Sequence, residues 1–178
     1  MRLKRFRLAV AYWLVNQVSA DDWLASFLRH AIYQRYGLTL GKGAVVSSRC
    51  HFVRPDLNNV KLGKRSFLNH GCYLENGHAI IIGSNVCIAP FVKLLTTTHD
   101  IGPAERRAGT CVRRPIRIGD GVWIGAGAVV LPGVKISEGC VIGAGALVTH
   151  DCPPNGKYLG IPARRVEELP LQQTTCIK

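Results

Sequence analysis

Between Ile118 and Pro153, aliphatic residues recur every six positions with small residues between them. The chain there reads IGDGVW IGAGAV VLPGVK ISEGCV IGAGAL VTHDCP, a run of hexads in one register. An amphipathic helix buries residues three and four positions apart, so this spacing argues against a helix. Each glycine would also cost a helix about 1 kcal/mol. The pattern predicts a mainly β fold, a parallel β-helix in which each hexad forms one side of a coil.

Three hexads close one triangular coil, which advances the chain by one strand spacing, roughly 4.8 Å. One hexad cannot bury its apolar face alone, so the coils must stack. Interruptions that keep the register on both sides map to the corners. The β-helix is therefore predicted over residues 40–153. Its earlier inward positions are Leu40, Val46, Phe52, Leu62, Leu68, Leu74, Ile82, Ile88 and Leu94.

The period stops after His99. Residues Asp100–Cys111 contain glycine, proline and charged side chains without an aliphatic period. They predict an extruded polar loop over residues 100–111, with re-entry into the coil over Val112–Ile116. Loops on a rigid scaffold often carry function; a solvated excursion is the alternative.

At the far end of the coil, the pair Pro153-Pro154 predicts its termination. Residues 154–178 form a short C-terminal tail, with a short helix as one option around Arg164 and Arg165. Disorder is expected over the last nine residues.

Residues 1–39 precede the hexads and are predicted to be a helical lead-in. Basic residues before the apolar run Leu8–Val15 also outline a signal peptide, but a helical pattern continues beyond any cleavage point. We favour helices, the second with an apolar face and a stop at Gly37. The lead-in should cover the open first coil, because an exposed edge invites strand addition. The predicted face comprises Trp23, Phe27, Leu28 and Ile32.

Composition limits the number of domains and the classes of binding partner that the chain can have. The 178 residues suggest one domain, and the formal net charge of +12 suits an anionic partner as well as simple solubility. No motif that combines aromatic and basic residues indicates nucleic-acid binding. The seven cysteines contain no CxxC pair, and four occupy the small inward hexad position, where they fit buried apolar fillers and a reducing cytoplasm. These four are Cys50, Cys72, Cys140 and Cys152.

Candidate chemistry centres on His99, which ends a hexad beside threonines and Asp100. A neutral imidazole at an exposed corner could take a proton from a hydroxyl or amine, although a lone histidine is more often structural. Asn69 could orient an acceptor or simply serve as a corner residue. Three histidines, His70, His78 and His99, raise the question of a zinc site. A β-helix that binds zinc would be expected to place two of its ligands five positions apart, but the residue five after His99 is Ala104, so we expect no metal site.

The segments IGSNVCIAPFVKLLTTTHD, RPIRIGDGVWIGAGAVVLPGVKI, VIGAGALVTHDCPPN and GIPARRV resemble the hexapeptide-repeat acyltransferases. The branch that they resemble most is that of the maltose, galactoside and nodulation-factor O-acetyltransferases. The resemblance implies a left-handed β-helix, a homotrimer with active sites between subunits, and acetyl-CoA as acyl donor. Handedness comes from the family alone, because general rules for parallel strands favour the right hand.

The resemblance also assigns roles. The catalytic histidine of the family matches His99, and its acceptor-contacting asparagine matches Asn69. Coenzyme contacts match Ala126, Ala144, Thr149, His150 and Arg164. Arg165 is not matched by the family, but its guanidinium could also clamp a phosphate.

Departures from the family pattern concern both substrates. Phe67 stands where the sugar enzymes have tyrosine, and Gly77 stands where they have an acceptor-binding aspartate, which argues against a small free sugar. His150 replaces a coenzyme-binding lysine, and Glu167 replaces an arginine.

We therefore predict an acetyl-CoA-dependent O-acetyltransferase that acts on a saccharide hydroxyl, for example in surface-polysaccharide synthesis. An N-acetyltransferase of an amino sugar and an antibiotic O-acetyltransferase are alternatives. A non-catalytic scaffold that binds a partner through the lead-in is a third. A cytoplasmic location is expected, and the basic lead-in could contact a membrane surface peripherally.

Overall fold

The computed structural model describes Val10, Trp13, Asn16 and residues 23–171, to which all structural statements below refer. No helix in these ranges is long and apolar enough to cross a membrane. The elements are α1 (Trp23–Arg35), β1 (Thr39–Leu40), β2 (Val45–Val46), β3 (His51–Phe52), β4 (Val60–Leu62), β5 (Phe67–Leu68), β6 (Tyr73–Glu75), β7 (Ile80–Ile82), β8 (Cys87–Ile88), β9 (Lys93–Leu95), β10 (Thr97–Ile101), β11 (Ala108–Arg113), β12 (Ile116–Ile118), β13 (Trp123–Ile124), β14 (Val129–Val130), β15 (Lys135–Ile136), β16 (Val141–Ile142), β17 (Leu147–Val148), β18 (Gly156–Leu159) and β19 (Arg164–Glu168).

Three sheets form the sides of a prism, and each strand pairs in parallel with the strand one coil later. Sheet 1 has the order β1-β4-β7-β12-β15, sheet 2 the order β2-β5-β8-β13-β16-β18, and sheet 3 the order β3-β6-β9-β14-β17. The register aligns inward residues, as in Leu68 opposite Ile88 and Ile88 opposite Ile124. The parallel β-helix predicted from the hexads is confirmed.

Stacked aliphatic side chains fill the prism. In sheet 3, Leu74, Leu94, Val130 and Val148 form one column and are at most 1% exposed. The four inward cysteines are buried, as predicted from their small inward position, and carry free thiols. Burial raises the pKa of the Cys152 thiol to about 12, so this group stays neutral.

Side chains from the lead-in close the open backbone edge of the first coil. Arg29 Nε donates to the carbonyl of Val46, and the amide of Val46 donates to His30 Nε2, both at 3.1 Å. Asn16 pairs in the same way with both backbone groups of Phe52, at 2.8 and 3.1 Å. The expected cover over the first coil is therefore present, and it satisfies polar groups that water would otherwise solvate.

The apolar face predicted for the helix is only partly present, because Ile32 packs against the core but two of its predicted neighbours do not. Phe27 is 66% exposed and Leu28 49% exposed, whereas Arg29 and Tyr33 are buried. The edge of a coil presents unpaired amides and carbonyls, so the helix side that faces it needs donors and acceptors. Tyr33 adds an edge-on ring contact to Phe52 at 5.1 Å. The basic segment that precedes Leu8, which was invoked for membrane contact, lies outside the described residues.

Two further predictions need correction. The excursion after His99, predicted as a polar loop over residues 100–111, is an antiparallel hairpin of β10 and β11, and the coil resumes at Ile116, the last residue of the predicted re-entry. The tail contains no helix around Arg164, because β18 and β19 form a second hairpin there. Parallel stacking also extends past Pro153, since β18 pairs with β16 and buries Tyr158 at the inward position.

The contact between His30 and Val46 predicts a dependence of stability on pH. Burial, then the charge of Arg29, lowers the pKa of His30 below 6.5, so the unfolded chain binds more protons at acid pH. The free energy of unfolding should fall as the pH drops below 6.5, and His30→Gln should lose less over the same range. Urea unfolding at pH 7.5 and 5.5, at one protein concentration, measures both slopes. Equal losses in the two proteins would exclude His30 as the cause.

Candidate active site

One edge of the prism, where sheet 2 turns into sheet 3, carries Asn69. Successive coils are joined at this corner by bonds from Gly71 N to Ser48 O, Phe91 N to His70 O, Gly127 N to Pro90 O and Gly145 N to Ala126 O. We call this corner the Asn69 edge; its successive coils carry Ser48, His70, Pro90, Ala126 and Ala144. The edge therefore brings Asn69, Ala126 and Ala144 into one line, as coil stacking requires.

An open cleft of about 430 Å³ lies beside Asn69. Two non-glycine residues at its ends, Arg49 and Phe91, have φ angles of +57° and +61°. Gly71 lies between them. Its lack of a side chain makes room for the Phe91 ring, because a Cβ on Gly71 would lie 2.6 Å from that ring. The same left-handed conformation recurs at Arg65 and Asn85, so it belongs to the corner of the coil, and the feature particular to this cleft is the 64% exposed ring of Phe91. The cleft is lined by Ser48, Arg49, His70, Gly71 and Phe91.

Asn69 itself is half-buried, and its Oδ1 accepts a hydrogen bond from the amide of His70 at 2.8 Å. This bond orients the amide and leaves Nδ2 as the donor. The next residue of the corner, His70, is held by a hydrogen bond between its Nδ1 and Ser48 Oγ at 3.0 Å.

The next edge, where sheet 3 turns into sheet 1, carries His99. We call it the His99 edge; its coils carry Gly77, the β10–β11 hairpin, Gly133 and His150. Thr96, which is fully buried, fixes the base of the hairpin. Its Oγ1 donates to the carbonyl of Glu75 and accepts from the amide of His78, and its carbonyl accepts from Arg114 N. A rigid coil thus supports the exposed His99 side chain.

Within the hairpin, His99 lies directly opposite Cys111, and Thr97 lies opposite Arg113. Paired residues share a face in antiparallel strands, and residues two apart along a strand do so as well. The imidazole of His99 therefore shares its face with a thiol and a guanidinium. This neighbourhood could not be predicted before the hairpin register was known.

Above the hairpin, an open groove of about 540 Å³ follows the His99 edge. Arg114 lies against Gly133, with Cδ 3.1 Å from where a Cβ would stand. Thr149 and His150 lie at the far end, and Thr149 Oγ1 is 2.8 Å from His150 Nδ1. Arg114 thus adds a cation that the sequence prediction had missed. Lining residues are Arg114, Pro132, Gly133, Val134, Thr149, His150 and Asp151.

The C-terminal hairpin sits at the top of the Asn69 edge. Its turn is bound to sheet 3 by Leu147 N to Gly160 O and by Ala163 N to Leu147 O. Arg164 is exposed there, opposite Leu159. Arg165 is used inside the hairpin, because its guanidinium donates to the carbonyl of Pro154 and pairs with Glu168 at 2.6 Å.

Other predicted positions lie near these edges. Phe67 is half-buried on β5, and Glu167 pairs with Lys157 at 3.1 Å. Within the described ranges, no group of three histidine, cysteine or acidic side chains could hold a metal ion.

The candidate residues thus divide between two edges of one prism. A side of the coil is one hexad of extended chain, so the edges are roughly 15–20 Å apart. Asn69, Ala126, Ala144 and Arg164 follow one edge in that order, and His99, Arg114 and His150 follow the other. A single chain therefore does not bring His99 to Asn69.

Comparisons with known proteins agree with this architecture. A family model described as bacterial transferase hexapeptide (six repeats) matches residues 115–150. Nodulation protein L of Rhizobium meliloti (strain 1021) is 41% identical over 163 residues, which cover 88% of this chain and 84% of that protein. This chain belongs to the hexapeptide-repeat acyltransferases. The family resemblance and the enzyme class predicted from the sequence are confirmed.

Solved structures extend the similarity of this acyltransferase to the whole fold. A maltose O-acetyltransferase from Clostridium difficile 630 is 32% identical, with a TM-score of 0.79 over 94% of this chain and 87% of that one. A galactoside acetyltransferase in complex with coenzyme A is 30% identical, with a TM-score of 0.79 over 95% of this chain and 82% of that one.

Proposed function

We propose that this acyltransferase moves the acetyl group of acetyl-CoA to a hydroxyl of a saccharide, at clefts formed between neighbouring copies in a homotrimer. The observation that carries the proposal is the division of the candidate residues between two edges. On both edges the acceptor-side residue lies on a lower coil than the small corners or polar groups proposed for the coenzyme: Asn69 lies below Ala126 and Ala144, and His99 lies below His150. Two copies with parallel axes therefore align acceptor groups with acceptor groups and coenzyme groups with coenzyme groups.

Direct transfer fits this arrangement. A neutral imidazole nitrogen of His99 takes the proton of the acceptor hydroxyl as its oxygen attacks the thioester carbonyl carbon. The tetrahedral intermediate then collapses, the carbon–sulfur bond breaks, and the imidazolium returns the proton to the departing thiolate. Both substrates meet in one cleft, which supplies the advantage of proximity without a covalent enzyme intermediate.

Asn69 of the adjoining copy orients the acceptor in this scheme. Its Oδ1 is occupied by the amide of His70, so its Nδ2 is the group that donates to an acceptor oxygen. The corner beside it supplies an aromatic surface, Phe91, for the apolar face of a sugar ring.

The coenzyme arm runs up the same cleft. Small corners at Ala126 and Ala144 let it approach the backbone of one copy, while Thr149, His150 and Arg114 line the groove of the other. Arg164 at the top of the Asn69 edge is suited to a phosphate, because its guanidinium makes one bond at 3.2 Å, to the carbonyl of Ala163, and can donate others. Arg165 is less suited, since it is engaged with Glu168.

Replacement of His99 by alanine should lower turnover by roughly a hundredfold or more, because the acceptor hydroxyl loses its base. An acceptor screen that detects the free thiol of released coenzyme A measures the rate. The exposed thiols of Cys87 and Cys111 react with the same reagent, so a blank without acetyl-CoA is subtracted.

Cys111→Ser is the matched control for His99→Ala, because it changes the side chain directly opposite in the hairpin. Direct transfer requires no acyl-thiol on the enzyme, so this variant should keep turnover of the same order as the unmodified protein. Near-normal turnover of His99→Ala would refute the role of the histidine, and loss of turnover in Cys111→Ser would refute direct transfer.

A mixing experiment tests whether the clefts lie between copies. Equal amounts of His99→Ala and Asn69→Ala chains are unfolded together and refolded. Random assembly should leave both residues intact in about a quarter of the clefts, so activity should return to that extent. Each variant refolded alone provides the background. No recovery in the mixture would place both residues in a single chain and contradict the proposal.

Coenzyme binding tests the cation in the groove. By calorimetry, Arg114→Gln should weaken coenzyme A binding by about tenfold, the typical size of a lost charge-assisted hydrogen bond. Arg117→Gln, which removes an exposed arginine of β12, serves as the control for net charge. Equal affinity of the two variants would exclude Arg114. No heat of binding in the unmodified protein would indicate a non-catalytic scaffold instead.

A further inference from the structure

The side chain of Arg113 occupies the space that Gly77 leaves free at the His99 edge. A Cβ built on Gly77 would lie 3.3 Å from both Cδ and Nε of Arg113 and 2.8 Å from Thr97 Oγ1. The arginine arm therefore rests on the backbone of the coil. This packing limits its rotamers and directs a fixed cation along the edge.

The same guanidinium belongs to the face of the hairpin that carries His99. Thr97 opposes Arg113 and His99 opposes Cys111, so His99 and Arg113 are diagonal neighbours. Diagonal positions in an antiparallel pair lie roughly 7–8 Å apart, within the reach of a long side chain. An acceptor whose hydroxyl meets the imidazole can therefore also reach the guanidinium.

Arg113 forms no ion pair within the described part of the chain. The ion pairs there join Lys157 to Glu167 and Arg165 to Glu168, and neither involves Arg113. Glu75 adds a carboxylate at the same corner, where its Oε2 accepts from the amide of Thr97 at 3.2 Å, but it is not paired with Arg113. The guanidinium thus remains open for an anion from outside the chain.

We propose that Arg113 recognises an anionic group of the acceptor, so that the saccharide carries a carboxylate or a phosphate near the hydroxyl that is acetylated. The inference rests on the proposed function, because it takes His99 as the base. A guanidinium binds both oxyanions through two parallel hydrogen bonds, which fixes the orientation of the acceptor as well as its affinity. An excess of basic residues, 23 against 11 acidic ones, also attracts such an acceptor over a distance.

Three galactosides that differ only at O1 test the idea while every ring hydroxyl stays available. They are methyl galactoside, carboxymethyl galactoside and galactose 1-phosphate. Calorimetry on the protein with coenzyme A bound measures their affinities, and the thiol assay measures their kcat/KM. The unmodified protein should prefer the better acidic probe over the methyl galactoside by about tenfold or more. The ratio between carboxylate and phosphate identifies which oxyanion the site prefers.

Variants assign the preference to the residue. Arg113→Gln should reduce the ratio of the affinity for the acidic probe to that for methyl galactoside by about tenfold. Arg113→Lys should retain part of this ratio, because lysine keeps the positive charge but lacks the two parallel N–H donors of the guanidinium. Arg117→Gln, with the same change in net charge on an exposed strand position away from the hairpin, should leave the ratio unaltered.

The outcomes separate this inference from the proposed function. An unaltered ratio in Arg113→Gln, or no preference for either acidic probe in the unmodified protein, overturns the inference while coenzyme A binding leaves the proposed function standing. Failure of the unmodified protein to bind coenzyme A overturns the proposed function itself. A drop in the ratio that is equal in Arg113→Gln and Arg117→Gln reflects net charge alone and also overturns the inference.

Discussion

Every backbone group on a side of this prism must find its hydrogen-bond partner one coil above or below. This constraint fixes the stacking distance at roughly 4.8 Å and keeps equivalent residues of successive coils in columns. Residues as distant in the sequence as Asn69 and Ala144 therefore follow one edge, joined through the corner bonds between His70 and Phe91, and between Ala126 and Gly145. In a solenoid each coil contacts only its neighbours, so residues that are distant in the sequence come together only along the axis, and the candidate site lies along it.

The same constraint leaves unpaired groups at both ends of the column, and the chain covers them differently. At the first coil, Asn16, Arg29 and His30 bind the backbone of Val46 and Phe52 with side chains. At the last coil, β19 folds back antiparallel on β18 and pairs its outer edge. The first device covers the edge with side chains, and the second replaces the edge of β18 with a charged strand, both of which disfavour the addition of a foreign strand. The second also brings Arg164 to the top of the Asn69 edge.

The inward residues could be predicted because each hexad has to bury one aliphatic and one small side chain. The six-residue spacing of Ile118, Ile124 and Val130 shows this requirement directly in the sequence. The helix face could not be predicted by the same reasoning. Its neighbour is an open backbone edge rather than an apolar surface, so Arg29 is buried and Phe27 is exposed. The hairpin after Thr96 was missed because its residues alternate too weakly to reveal strands, and its register alone makes Arg113 a neighbour of His99.

Corners separate the chemistry of this enzyme from its stability. The hairpin leaves the coil after Leu95 and returns at Ile116, and the inward column continues across the gap, since Ile82 lies directly opposite Ile118. Substitutions at Phe91 or Arg113 therefore alter an exposed surface without changing a buried contact of the prism. In the proposed mechanism, a different acceptor can therefore be accommodated by exchanging a few corner residues, because the coils that support both edges stay unchanged.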